Sequence, residues 1–410
     1  MKNKKEYLSS NYRKTAGLFQ KNLFIRRLKK IYYYIDAFLL LFVKKPKKQV
    51  NKKKKIAILY NIALGDGVIF RSSILHIRNI YPKDKYDLTL ICQKGLNIIY
   101  EKDDIFDRII NIDFNVATIN LLERIRCFKK VRDQYYDLLI DPVGIFEWTT
   151  NIFFSRAICA LEKVGVLDVN LNNTCSMKYI NKIYSNIINI TKKNVSLLEY
   201  YSLVLMELSN GKYKHDVGFE KIKTDKNKLY LPKKYFVVFP CASMSLKRWS
   251  LDNYAYLAKK ITAKTGMNLV VVGSKTDEDT LNEFKTKLEI EYIDLVNKTN
   301  LNDFIDVLTN ASLVISNDTS AYHISLTQGT PVAIITGGYT YDRYVLYDFP
   351  RKDEFVRPCI VINKMPCFNC YNWCHLLNSN NKNWPCLESI TKEQAWIKIE
   401  KYIDELKIGG

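Results

Sequence analysis

Four short stretches of this chain combine residue types that can do chemistry. The first is Leu313–Gly329, LVISNDTSAYHISLTQG. Its β-branched apolar run stops at Asn317, Asp318, Thr319 and Ser320, and a helix-permissive segment begins at once, so the pattern predicts strand, tight turn, helix. The first backbone N–H groups of such a helix have no intrahelical partner, and the macrodipole adds partial positive charge. The spot therefore suits a phosphate or diphosphate. The plainer account is that Asp318 or Thr319 only caps the helix. His323, four residues beyond Thr319, falls on the same helical face about one turn deeper. There it can donate to a phosphate oxygen, or serve the core alone.

The second stretch, Leu64-Gly65-Asp66-Gly67, follows the strand pattern IAILY. It puts a carboxylate at a strand's carboxyl end between glycines that let another molecule approach, and such a carboxylate can take the proton of an attacking hydroxyl. The alternative is that Asp66 is a helix N-cap. Position 70 is Phe, so no G-x-G-x-x-G follows, and no Walker motif occurs anywhere. The third stretch is Pro240–Trp249, PCASMSLKRW. Ser243 and Ser245 offer hydroxyls, and Lys247 and Arg248 offer cations that can hold an anionic leaving group. The competing reading is solvated surface, although Trp249 argues for a packed loop. The fourth is CFNCYNWC with a later cysteine: Cys367, Cys370, Cys374 and Cys386, at C-x2-C-x3-C-x11-C. Four thiolates this close can hold zinc or iron structurally; the alternative is a reduced, metal-free loop.

The elements that must position these residues alternate. Strand patterns at 56–60, 87–92, 108–113 and 136–142 are separated mostly by helix-length segments, and the pattern restarts at 235–240, 268–273, 292–296 and 313–316. Such alternation implies parallel sheets covered on both faces, with ligands at the carboxyl ends of the strands. With 410 residues, 47% of them apolar, the chain is long enough for two domains. Residues 170–230 are rich in Asn and Lys, with one helix expected near 195–209. The expected organisation is an N-terminal arm, 1–55; a first Rossmann-like domain, 56–225; and a second, 226–410, carrying the Cys-rich loop 367–386.

Charge is concentrated in the arm. Residues 1–55 hold 18 Lys and Arg against Glu6 and Asp36, a net +16 of the whole chain's +21. The body is near neutral, which argues against nucleic-acid binding through a folded basic face. Residues 1–17 are expected to be mobile. From 18 to 43 apolar residues recur at helical spacing with basic residues on the other side, and KKPKKQVNKKKK follows. The apolar run is too short to span a bilayer. It suits an anionic membrane surface, against the alternative of a helix packed on its own protein. Scattered cysteines and the absence of a secretory signal fit a cytoplasmic protein, peripheral on the inner membrane face.

IAILYNIALGDGVIFRSSILHIRNIYP, FPCASMSLKRWSLDNYAYLAKKI and LVISNDTSAYHISLTQGTPVAIITGG, in this order and separation, resemble the bacterial lipopolysaccharide heptosyltransferases, glycosyltransferase family 9. The resemblance covers most of residues 55–400. It implies an α/β GT-B fold, two facing Rossmann-like domains with a cleft between them, and inverting, metal-independent transfer of heptose from an ADP-linked donor to a glycolipid hydroxyl. In its terms Asp66 is the general base, Lys247 a phosphate contact, Asp318 and Thr319 the donor-binding turn, and His323 that motif's histidine. Ser243 joins the donor site, and Glu278 lies near a ribose-contacting acid. Ser320 stands where the family usually has Gly, but keeps its N–H. Some relatives bind iron through C-terminal cysteines. Two alternatives stand beside this reading: a protein glycosyltransferase of the same family, and a sugar-nucleotide-binding scaffold without turnover.

Overall fold

The computed structural model describes residues 23–48, 51–145, 150–171, 175–213, 217–224, 229–349, 351, 354–372, 374–378 and 381–409, with only the backbone at 23–30 and 150. Residues 1–22, which include the tail expected to be mobile and the start of the membrane-facing segment, lie outside the described residues. So does residue 225, where the first domain is expected to end. Two compact units are present, one ending at Val217 and the other beginning at Gly218.

The first unit opens with helix α1 (Leu23–Leu39) and continues β1 (Lys54–Tyr60), α2 (Leu64–Ile74), β2 (Tyr86–Gln93), β3 (Arg108–Ile112), α3 (Phe114–Ile119), α4 (Leu121–Val131), β4 (Tyr136–Asp141), α5 (Thr150–Ala157), β5 (Ala160–Asp168), β6 (Asn186–Ile190) and α6 (Leu197–Leu208). Its strands lie in the order β3, β2, β1, β4, β5, β6, all parallel. The central strand β1 is buried from Ile56 to Tyr60, as its unbroken apolar run requires when helices cover both faces. Strands β5 and β6 were not expected from the sequence. The polar Glu162 and Lys163 interrupt the first half of β5, and β6 is an edge strand whose exposed asparagines disguise the buried Ile188 and Ile190.

Helix α1 is bolted to this unit. Asp36 is fully buried and takes a bidentate pair from Arg124, Nε to Oδ1 at 2.6 Å and Nη2 to Oδ2 at 2.7 Å. The guanidinium also lies 4.9 Å from the Tyr32 ring centre. Arg132 donates to the Leu40 and Val43 carbonyls, and Leu39 and Val43 join the core beneath β1 and α4. Asp36, which in the sequence merely interrupts an apolar run, is the helix's buried anchor. Residues 32–43 thus pack on the first unit.

The second unit contains β7 (Tyr235–Phe239), α7 (Leu251–Thr265), β8 (Asn268–Gly273), α8 (Glu278–Thr286), β9 (Tyr292–Val296), α9 (Leu301–Asn310), β10 (Leu313–Ser316), α10 (Ser320–Gln328), β11 (Val332–Ile335), β12 (Cys359–Val361) and α11 (Lys392–Glu405). Its strand order is β12, β11, β10, β7, β8, β9, again parallel. Both sheets are doubly wound. Chain order reverses between β1 and β4 in the first and between β7 and β10 in the second, and at such a reversal the two following loops part and leave a crevice at the carboxyl ends.

Candidate functional site

Three of the four chemical stretches fall on those crevices. In the second unit, residues 240–249 leave β7 and residues 317–320 leave its neighbour β10. Asn317, fully buried, ties the two loops together. Its Nδ2 donates to the Pro240 carbonyl at 2.7 Å, and its Oδ1 accepts from the Trp249 N–H and the Tyr254 hydroxyl. Trp249 is buried, and its indole N–H donates to the Ile390 carbonyl. The loop carrying Lys247 is therefore fixed in place.

Helix α10 begins at Ser320. Thr319 is its N-cap residue, with extended backbone, but no side chain makes a capping bond; the Thr319 hydroxyl instead meets that of Ser316 at 3.1 Å. His323 supplies the first helical N–H to bond a backbone carbonyl in this turn, that of Thr319 at 3.3 Å. Capping by Asp318 or Thr319, the plainer account, is not what the chain does, and the open turn keeps its anion-binding character.

Asp318 is buried and turns to a lysine and a histidine rather than to the helix. Lys247 Nζ lies 2.7 Å from its Oδ2, and His323 Nε2 lies 3.7 Å from its Oδ1. Burial alone would raise the Asp318 carboxyl. Lys247 and His323 outweigh it and hold the group well below the usual carboxylate range. Tyr347 faces the other ring nitrogen of His323 at 3.3 Å. Lys247 Nζ also lies 5.1 Å from the Tyr339 ring centre and 6.0 Å from that of Tyr344. One of its three N–H groups serves Asp318, which leaves donors for a ligand.

The neighbouring polar groups divide. Arg248 is spent on the protein, donating to the Ala242 carbonyl and the Thr280 hydroxyl, so the Lys-Arg pair does not act as two equal cations. Ser243 is exposed. Glu278 sits in the first turn of α8, after β8, with its carboxylate 2.8 Å from Lys275 Nζ; that bond lowers its pKa. Nothing in the sequence alone marks a role for Asn317, Tyr339 or Tyr344. Asn317 was visible in the turn, but its clamp joins loops 68 to 77 positions apart and exists only once β7 and β10 pair.

In the first unit Asp66 lies in the first turn of α2, after β1, and is partly exposed. The N-cap is Ala63, so Asp66 is not the cap. Its backbone is held firmly: the Tyr60 hydroxyl donates to the Asp66 carbonyl at 3.0 Å, and Tyr100 donates to that of Gly67 at 2.9 Å.

Cys367, Cys370, Cys374 and Cys386 line one small cavity of about 10 Å³, walled also by Phe368 and Trp384. Burial first, then neighbouring thiols, pushes Cys370 up to about 12, and burial pushes Cys386 to about 11. The donor set suits a soft ion. Among the described residues, however, no group of three or more His, Cys, Asp or Glu side chains is gathered closely enough to hold one.

Comparison with known proteins agrees with this architecture. Over 95 residues the chain is 32% identical to lipooligosaccharide heptosyltransferase 2 of Haemophilus influenzae, a stretch that is 22% of this chain and 27% of that protein. The chain spans under a third of the length of the curated relatives it matches. The structure of Escherichia coli ADP-heptose LPS heptosyltransferase II superposes with a TM-score of 0.61 at 14% identity, covering 86% of this chain and 99% of that one. TibC, an iron-containing dodecameric glycosyltransferase of enterotoxigenic E. coli, gives a TM-score of 0.51 at 12% identity, over 88% and 79% of the two chains. These similarities establish the α/β GT-B fold. The model of glycosyltransferase family 9 (heptosyltransferase) matches residues 124–355, more than half of the chain, and with two doubly wound units and an uncapped helix start at a strand crossover, the chain belongs to that family.

Proposed function

We propose that the protein is an inverting glycosyltransferase that moves a heptose from an ADP-linked donor to a hydroxyl of a cell-envelope glycolipid such as lipopolysaccharide core. The observation that carries this reading is the open start of α10 beside Lys247, Asp318 and His323. Cleavage of a glycosyl phosphate builds oxocarbenium character on the sugar and negative charge on the departing diphosphate. The N–H groups at Ser320 and after it, with Lys247, take up that charge in a site whose dipoles are already oriented. Asp318, in the donor-binding turn, stays ionised and orients Lys247 and His323. Glu278 and Ser243 are assigned to the nucleotide side of the donor.

Asp66 is the general base. As the acceptor oxygen bonds to the anomeric carbon, the acceptor proton passes to the Asp66 carboxylate. The bond from that carbon to the diphosphate oxygen breaks, and its electron pair leaves with ADP. The firmly held turn from Ala63 to Gly67 fixes the carboxylate's backbone for this role. Asp66→Ala is expected to lower transfer by about 10²–10⁴-fold while calorimetric ADP affinity stays nearly unchanged. Wild-type turnover in that variant would remove Asp66 as the base.

The acceptor is lipid-linked, so the protein is assigned to the cytoplasmic face of the membrane, bound peripherally to an anionic surface. Domain roles follow the same reading: the first unit handles the acceptor and the second the nucleotide. The chemistry of the four cysteines suits a structural zinc or iron ion that takes no part in the reaction, but to hold one the 367–386 loop must draw its thiols closer together than they lie here. Metal analysis of anaerobically purified protein should find one ion per chain, and a metal-free preparation of full activity and stability would discard the ion.

A further inference from the structure

Helix α1 has two apolar faces. The inward one carries Asp36, Leu39 and the following Val43 into the core. The outward one carries Ile31, Tyr34 and Phe38 and continues into Leu41 and Phe42, with exposures from 48% to 78%. Scattered exposed apolar residues are ordinary. Five within twelve positions, spaced at three and four, form one stripe. The rings of Phe38 and Phe42 meet edge to face at 5.1 Å, and Tyr34 reaches the Tyr179 hydroxyl at 3.1 Å. On the other flank the Tyr32 hydroxyl donates to the Thr118 carbonyl, beside the exposed Ile119 and Leu122.

The stripe leads directly into a cationic run. Lys44, Lys45, Lys47 and Lys48 are exposed, Lys52 to Lys55 follow, and no acidic residue lies between 44 and 55. No helix among the described residues is long and apolar enough to cross a membrane. Nor is α1 free to swing away as an amphipathic arm. Asp36–Arg124, the Arg132 bonds to Leu40 and Val43, and an Arg156 bond to the Tyr33 carbonyl hold it to the body.

We propose that this outward stripe is a rigid docking face for an anionic lipid bilayer, inserting Phe38, Leu41 and Phe42 at the interface while the lysines behind them meet the headgroups. The inference deepens the membrane assignment made above and rests on it. A bilayer supplies apolar depth and negative charge together, which is what the juxtaposition of stripe and lysines matches. A second copy of the chain stacked stripe to stripe would bring two such lysine runs together, at a repulsive cost. Helices α3 and α4, which Tyr32 and Asp36 grip, also wall an open groove of about 540 Å³, lined by Lys94 and Asn97 after β2, Asn111 of β3, Asp113 after it, and Glu123 and Lys130 of α4. Docking through α1 brings this groove near the lipid surface, where the polar head of a lipid-linked acceptor can enter it.

The test is cosedimentation of the full chain with vesicles of phosphatidylglycerol in phosphatidylcholine, without donor or acceptor. The wild type should bind these vesicles at least tenfold better than pure phosphatidylcholine. Phe38→Ser/Leu41→Ser/Phe42→Ser, all at exposed positions, should lose at least tenfold while melting as the wild type does. Unchanged binding by the triple variant would overturn the proposal and leave charge alone as the attraction. A wild-type dimer that the triple variant converts to monomer, with no vesicle binding by either, would overturn it in favour of a second copy. Turnover of ADP-heptose with a delipidated, water-soluble acceptor is expected to be equal in the two proteins. Its absence from both would count against the glycosyltransferase reading, whatever the vesicles show.

Discussion

Lys247→Met separates what this lysine does for the fold from the role proposed for it beside a departing diphosphate. In the native chain its Nζ lies 2.7 Å from Asp318 Oδ2, with side chains 18% and 3% exposed. Removing the cation leaves a buried carboxylate with only His323 nearby, at 3.7 Å. Breaking one side of a buried pair costs about 3–5 kcal/mol. The lysine's partial exposure and the histidine's help place this pair at the low end, about 3 kcal/mol. For a unit of this size each kcal/mol moves the melting point by about 2–4 °C, so the second unit should melt roughly 6–12 °C lower. Lys247→Met/Asp318→Asn removes both charges and should recover most of that loss. Turnover should behave differently, because a missing donor aimed at transition-state charge costs about 10²–10³ in kcat and the second substitution restores no cation. Differential scanning calorimetry and release of ADP from ADP-heptose read the two effects separately. Recovery of turnover together with melting point in the double variant would refute the electrostatic role of Lys247.

The buried pair that fastens α1 gives a second case: Asp36→Asn strands the Arg124 guanidinium and should cost the first unit about 3–5 kcal/mol, whereas Asp36→Leu/Arg124→Met should come close to wild type. Thermal unfolding decides, and an unshifted melting point in the single variant would mean the pair is not buried. The pH dependence of the second unit follows from Asp318. Its carboxyl is lowered on folding from an ordinary value of 3.8, so its stabilising contribution is present above that value and lost as pH falls through the folded pKa. Melting temperature should therefore hold steady near neutrality and fall below about pH 4, and Asp318→Asn should show a shallower fall; equal slopes would remove Asp318 as the titrating group.

The parallel α/β class was legible wherever a central strand is an unbroken apolar run, as in β1, β7, β8 and β10. It was not legible in β5 and β6, whose outer positions are charged or Asn-rich because an edge or near-edge strand faces water. The same limit explains α1. Its periodicity was plain, but a helix with apolar residues on two faces gives no sign in the sequence of which face the protein keeps. The arginines at 124, 132 and 156 that make the choice are about ninety or more positions away.

By itself the sequence determined where along the chain the candidate site residues fall: Asp66 after the first strand, Lys247 after the seventh, and Asp318 to His323 after the tenth. These are short-range facts, since a strand's end and a helix's start are written in adjacent residues. Tertiary structure decided which side chains spend their charge on one another. Only the pairing of β7 with β10 turns Asp318 toward Lys247 instead of the helix it precedes, ties Arg248 to its own loop, and lets Asn317 hold both loops. Long-range contacts set these choices because a buried polar group must find its partner wherever the fold brings one within reach.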